Sequence, residues 1–237
     1  MEEDLDPIEK LFNFFWGEKE DEPAGLKRFG REKFPEQYPC TKTKWADILP
    51  RDKGNGFERF RPMLACTNME RREMRLAYDA QRDGWSASTF HFKVDRRGAA
   101  LVVLELKDGQ ILGGYNPKGW VGYGEYRSSI AAFLFSFEPG RDRPTKLQKV
   151  GGKGLSVVDN PEDGPKFGMD SLIVKLESRT VNSKLGNYYE RMPESDRNSL
   201  IATGRMSAPL KNVKIFTGYY EEGEEIPFSD AEPFALY

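Results

Sequence analysis

Apolar residues in the middle of the chain come in short alternating or unbroken runs, and the breaks between them are mostly glycine and aspartate. Residues 101–106 and 111–115 are two such runs, separated by Asp108-Gly109. Asp-Gly is a strong hairpin signal, because glycine adopts positive φ without steric cost and aspartate tolerates it. The two runs are therefore predicted to pair as antiparallel strands, with Gly113-Gly114 ending the second as backbone bare of side chains. Residues 131–137 are apolar almost throughout, as a strand covered on both faces would be. Further strands are predicted at 155–158, 172–176 and 213–219, between turns rich in Gly, Pro and Asp. Met74-Arg75-Leu76-Ala77-Tyr78 fits a strand leading into the Asp83-Gly84 turn, although residues 69–75 also fit the start of a helix. Ser86 is a capping-type residue ahead of Ala87 to Phe92, which read as a helix lying over the sheet. Near the start, Ile8, Leu11, Phe12 and Phe15 recur at helical spacing behind Asp6-Pro7. They predict a short amphipathic helix, packed on its own domain or docked on a partner or membrane surface. The sum is an α+β fold: two packed antiparallel sheets, a β-sandwich, flanked by helices.

With 237 residues the chain can build one sizeable core, and its length does not require two domains. Residues 17–62 are rich in Gly, Pro and charge, yet they carry Phe29, Phe34, Tyr38, Trp45, Phe57 and Phe60. Disordered segments lack aromatics, so an ordered wrap is expected. The organisation predicted is a helix and wrap over 1–62 and the main domain over 63–237. The near-neutral total hides a charge asymmetry: residues 1–22 and 219–237 hold 15 acidic residues against 2 lysines, leaving the middle at +11. Such tails can fold back on a basic body or leave it open to an acidic partner. The acidic start has neither a basic leader nor an apolar signal segment, and no apolar run is long enough to cross a bilayer. A soluble cytoplasmic protein, with the nucleus as a further compartment open to it, is the expectation. Cys40 and Cys66 are too few and too far apart in sequence for a disulfide framework or a zinc motif, so two reduced thiols are expected.

The single histidine, His91, excludes sites that need two imidazoles and sits between Phe90 and Phe92, where packing explains it. No Gly-x-Ser-x-Gly elbow accompanies it, which argues against a serine triad. Gly151-Gly152-Lys153-Gly154-Leu155-Ser156 lacks the Gly-Lys-Ser/Thr helix start of a phosphate loop and reads as a turn or bulge. No cofactor or metal site is predicted. Glu125 stands out because Gly122-Tyr123-Gly124 precede it: glycines let the backbone turn sharply and leave a carboxylate unshielded at a loop tip. It can either accept hydrogen bonds from its own loop amides or meet a partner. An enzyme would require Glu125 to converge with another acid, such as Asp83 or Asp170, in a pocket. Lys27-Arg28-Phe29-Gly30-Arg31-Glu32-Lys33-Phe34 interleaves basic and aromatic residues as nucleic-acid binders do, without any recognised module signature.

The order Asp83-Gly84-Trp85-Ser86, residues 101–106, Asp108-Gly109, Gly113-Gly114-Tyr115, Gly124-Glu125 and Phe133-Leu134-Phe135-Ser136-Phe137 resembles the TLDc domain, the module of the oxidation-resistance proteins. Lys166-Phe167-Gly168 and Ser171-Leu172 extend the resemblance. The glycine-rich run usual before the last strand is reduced, and Leu185-Gly186-Asn187-Tyr188-Tyr189-Glu190-Arg191-Met192-Pro193 replaces a shorter segment. In these features the chain resembles short, stand-alone plant and algal members. The resemblance implies the same sandwich flanked by helices and a non-enzymatic role in oxidative stress resistance. It also implies protein partners such as the peripheral subunits of the vacuolar proton-pumping ATPase. The segment with Tyr123, Gly124 and Glu125, together with Asp83, supplies the partner-binding candidates, while Gly84, Asp108, Gly109, Gly113 and Gly114 are structural. Two rival readings remain: a hydrolase built on acidic residues, and a nucleic-acid binder using the basic middle.

Overall fold

A computed structural model of the chain describes residues 30–138, 140–152, 154–193 and 195–229. The helix predicted around Ile8 to Phe15 and the basic-aromatic residues Lys27, Arg28 and Phe29 lie outside these residues.

The hairpin forms where Asp-Gly demands it. Strands β2 (Ala100–Leu106) and β3 (Ile111–Asn116) pair antiparallel from Ala100↔Asn116 to Glu105↔Ile111. Leu106 donates its N–H to the Gln110 carbonyl, Asp108 Oδ1 accepts the Gln110 N–H at 3.0 Å, and Gly109 takes φ +89°. Strands β5 (Phe133–Phe137) and β6 (Thr145–Gln148) extend the sheet beyond β3. On the other side of β2 lies β11 (Ser207–Gly218), and β1 (Met74–Asp79) pairs with β11. The segment beginning at Met74 is thus a strand, and the residues just before it form turns.

A second arm runs through β4 (Glu125–Arg127), β7 (Val157–Asp159), β8 (Lys166–Phe167), β9 (Leu172–Lys175) and β10 (Thr180–Asn182). It ends on the first three residues of β11, and every pairing in both arms is antiparallel. The long strand β11 serves both arms because its register slips between Leu210 and Asn212, a bulge that bends the strand. Two α-helices appear among the described residues. Helix α1 (Ala80–Asp83) is capped by Asp79, and α2 (Ala87–Val94) by Ser86, whose hydroxyl accepts the Thr89 N–H at 3.2 Å. With three short 3-10 turns they make up the helical content there, so the fold is dominated by antiparallel sheet.

Alternation along β2 divides the core. Ala100, Val102, Leu104 and Leu106 face one hydrophobic cluster with Leu112, Leu134, Phe167, Leu172 and Val174, while Leu101 and Val103 face another with Tyr115, Phe133 and Phe135. Strands covered on both faces read as near-continuous apolar runs, as residues 101–106 and 133–137 do, with Glu105 and Ser136 as their polar interruptions. The second cluster is roofed by Phe57, Phe60, Met63 and Leu64, with Trp45 packed against it. That roof is pinned by a fully buried ion pair: Arg61 donates to Asp52 at 2.6 and 2.9 Å and to the carbonyls of Met69 and Glu70.

The glycine pair calls for a correction. Gly113 and Gly114 lie inside β3 and neither has a positive φ, so conformational freedom is not their purpose. Space is. A Cβ on Gly113 would fall 1.9 Å from the Val102 carbonyl oxygen, and one on Gly114 would fall 2.7 Å from Phe167 Cζ and 2.9 Å from Leu134 Cδ2.

Candidate interaction site

The segment from Asn116 to Arg127 connects β3 to β4 and is fixed from beneath. Asn116 is buried and donates to the Gly119 carbonyl while accepting the Lys118 N–H, which folds the first turn. Gly119 has φ +66°, and a Cβ there would meet the Gly98 carbonyl oxygen at 2.0 Å. Trp120 is buried edge-on against Phe90 and Phe167, with ring centroids 5.5 and 6.2 Å away. Its carbonyl accepts the Arg96 N–H at 2.7 Å. Anchored this way, the chain presents its next residues outward.

Asp159 sets the loop. Its carboxylate accepts the Val121 N–H at 2.8 Å and the Gly122 N–H at 3.1 Å, and its residue pairs with Glu125 across β7 and β4. Burial pushes the Asp159 carboxyl up, against the pull of those amides. Beside it His91 bonds through Nδ1 to Asp95 at 2.8 and 3.1 Å, and through Nε2 to the carbonyls of Asn160 and Asp163 at 2.9 and 3.1 Å. All of these partners are acceptors, an arrangement that favours a ring donating from both nitrogens. Burial alone would depress this imidazole, but the Asp95 bond and charge, with the Asp163 carbonyl, hold it above its ordinary value. Arg127 closes the far end: its guanidinium donates to the carbonyls of Lys118 and Phe228, both at 2.9 Å.

What this frame holds outward is aromatic and acidic. Tyr123 is 40% exposed and its hydroxyl accepts from Arg96 at 2.5 Å; Tyr126 is 55% exposed, and Phe92 on α2 is 83% exposed. Gly122 and Gly124 have φ +76° and +80°, as the sharp turns anticipated at these positions require. Glu125 is not at the loop tip, however. It opens β4 half-buried, and its carboxylate makes no hydrogen bond or ion pair among the described residues. The loop-fixing role open to Glu125 is performed by Asp159. That aspartate ends an apolar Val-Val run and carries no local signal in the sequence, whereas His91 and Asp95 at i,i+4 on one helix face are a pair the sequence could have revealed.

The other candidate residues lie elsewhere. Asp83 accepts from the Arg82 guanidinium at 2.7 and 2.9 Å and from the Asp79 N–H, and the Arg82 bond holds its carboxyl down at about 2. It is a structural carboxylate, and no interaction joins it to Glu125 among the described residues. Gly84 ends α1 with φ +101°, and its carbonyl accepts from Tyr78. Asp170 accepts from Asn187 at 3.0 Å. Three open clefts of about 490 to 610 Å³ are lined in turn around Pro50, Trp85 and Trp45, and none is lined by Glu125, Asp83 or Asp170. Gly151, Gly152 and Gly154 lie in turns, with Leu155 N–H on the Gly152 carbonyl. Cys40 is buried and Cys66 half-buried, and both are free thiols.

Residues 55–215 match the TLDc domain, described as the TLD family. This match spans more than half of the chain, so the chain belongs to the TLDc domain family. A curated relative, the MTOR-associated protein MEAK7 of Mus musculus, is 28% identical over 95 residues, covering 37% of this chain and 21% of MEAK7. The aligned region is about a fifth of that relative's length. No helix among the described residues is long and apolar enough to cross a membrane.

Proposed function

We propose that this chain is a non-enzymatic protein-binding module whose contact surface is the exposed edge formed by Tyr123, Gly124, Glu125 and Tyr126. The observation that carries this reading is the division of labour between two carboxylates: Asp159 holds the loop amides, and Glu125, which feels the charge of Arg127, makes no hydrogen bond or ion pair among the described residues. Such a carboxylate, between two exposed tyrosines at an edge strand, suits an interface anchor rimmed by charge. Strand β4 also ends its arm of the sheet and pairs on its outer side with no strand among the described residues, as a partner-binding edge would. MEAK7 is itself named for association with MTOR, which supports action by association.

In finer terms, the partner we propose is the peripheral sector of the vacuolar proton-pumping ATPase, the setting is the cytosol and nucleus, and the outcome is resistance to oxidative stress. The domain division proposed is a wrap up to residue 62 and the TLDc-like domain from 63. The two arms are inferred to pack as a β-sandwich, supported by Phe167 of β8 lying against Gly114 of β3. Binding of the purified chain to purified peripheral ATPase subunits, followed by biolayer interferometry, tests the partner. Saturable binding is expected, and its absence at micromolar concentrations refutes the ATPase assignment.

A further inference from the structure

The cluster beneath the loop has chemistry that the contact surface does not use. One donor atom each from His91, Asp95 and Asp159 lie within 4.8 Å of one another, with His91 and Asp159 buried and Asp95 half-buried. His91 Nδ1 stands 2.8 and 3.1 Å from the two Asp95 oxygens. Such separations are close to those of neighbouring donors around one ion with bonds of about 2.0–2.2 Å. Nε2 is committed to the carbonyls of Asn160 and Asp163, the arrangement by which metal-binding histidines fix their tautomer and direct the other nitrogen at the ion. Asp159 brings a buried carboxylate whose hydrogen bonds come from two amides, and no side-chain cation bonds to it among the described residues. Arg127 lies nearby and its charge acts on Asp159 and Asp95, but its hydrogen bonds, from one terminal nitrogen, go to the carbonyls of Lys118 and Phe228 and not to the cluster. Gly122 closes the cluster from the loop side, where a Cβ would fall 2.5 Å from Asp95 Oδ2 and 3.9 Å from His91 Nδ1.

We propose that His91 Nδ1, Asp95 and Asp159 form a binding site for a divalent transition metal of the zinc class, with water completing the coordination. On binding, the metal takes the Nδ1 lone pair, the Nδ1 proton leaves to solvent, and the Nε2 proton stays on the two backbone carbonyls. One imidazole with two carboxylates suits zinc or manganese; calcium, which takes six to eight oxygens, is poorly matched. The three ligands come from α2, the residue that ends it, and β7, so the bound ion ties the end of that helix to the strand that holds the Val121 and Gly122 amides.

The test is equilibrium dialysis of the full chain, stripped with chelator, against zinc chloride at pH 7.5. A parallel titration with cobalt(II) reports the ligands by absorption. The expected result is one zinc per chain with a dissociation constant below about 10 µM, weakened at least tenfold in both Asp159→Asn and Asp95→Asn and in His91→Gln. The Cys40→Ser/Cys66→Ser variant should bind as the parent does, and the cobalt complex should show no thiolate charge-transfer band. Folding of each variant is read by circular dichroism, and Asp95→Asn serves if Asp159→Asn fails to fold. No stoichiometric zinc on the folded parent, and none of manganese when manganese chloride replaces zinc in the dialysis, overturns the site, as does binding that survives His91→Gln or depends on the cysteines. If only manganese binds, with the same dependence on the three residues, the site stands and the zinc preference falls.

Discussion

Replacing Gly114 with alanine probes how the two arms meet. The glycine has no positive φ, so backbone strain contributes nothing and the whole effect comes from one added methyl. An ideal Cβ lies 2.7 and 2.8 Å from Phe167 Cζ and Cε1, and 2.9 Å from Leu134 Cδ2. Both neighbours are fully buried, and real Cβ contacts of this length do not occur without movement. Phe167 is hemmed in by Trp120 and Tyr189, with centroids 6.2 and 6.5 Å away, so its ring cannot simply swing aside. Overpacking of this kind costs about 1–3 kcal/mol. For a domain of this size the melting temperature should fall by about 2–4 °C per kcal/mol, or roughly 2–12 °C. Differential scanning fluorimetry and urea unfolding measure it. The double variant Gly114→Ala/Phe167→Leu should be less destabilised than the sum of the single variants, with a coupling of about 0.5–3 kcal/mol, because removing ring atoms makes room for the methyl. An unchanged melting temperature in Gly114→Ala, or strict additivity in the double variant, would refute the steric account.

Arg61→Ala should cost about 3–5 kcal/mol in urea unfolding, because Asp52 is left buried, charged and without its partner. Burial pushes the Lys146 ammonium down to about 8, so the fold carries a penalty for the charged form below that pH and loses it as pH rises toward the ordinary lysine value. Between pH 8 and 9 the parent should therefore gain up to about 1 kcal/mol relative to Lys146→Met; a pH-independent difference between the two counts against the assignment. Measurement stops there because the Cys40 thiol, pushed up to about 11 by burial, acts in the opposite direction once the unfolded thiol ionises. For the same reason Cys40 should resist a thiol reagent at pH 8 in the folded protein while Cys66 reacts, and rapid labelling of both would contradict the buried placement.

The sequence made some elements plain and hid others for physical reasons. Asp108-Gly109 and the Ser86 cap were legible because each is a local interaction whose chemistry fixes the backbone within a few residues. The doubly covered strands were legible because burial on both faces leaves a near-continuous apolar run, broken by Glu105 in one strand and Ser136 in the other. Strand β11 was read only over its second half: Pro209 and the alternating charges Lys211 and Lys214 weaken the strand pattern, and the bulge that lets one strand serve two arms leaves no local signature. Strands β4 and β8 are two or three residues long and owe their existence to their neighbours, not to propensity. Gly113 and Gly114 were recognised as needed, but the reason is the Phe167 ring and the Val102 carbonyl, which only the tertiary fold supplies. At the site, the glycine turns and Tyr123 were visible in the sequence, while the exposure of Tyr126 and Phe92 was not. Asp159 was not, since a carboxylate reaching amides 37 and 38 residues away has no sequence pattern.

On the function proposed here, Glu125 serves a partner while Asp159 serves the fold. Side-by-side measurement of thermal stability and of affinity for purified peripheral ATPase subunits, in the parent and in Glu125→Gln, tests it most directly. The account predicts a melting temperature unchanged within about 1 °C and binding weakened at least tenfold, about 1.4 kcal/mol. A variant that melts several degrees lower yet binds as tightly as the parent would contradict it, and would return Glu125 to the scaffold of its own loop.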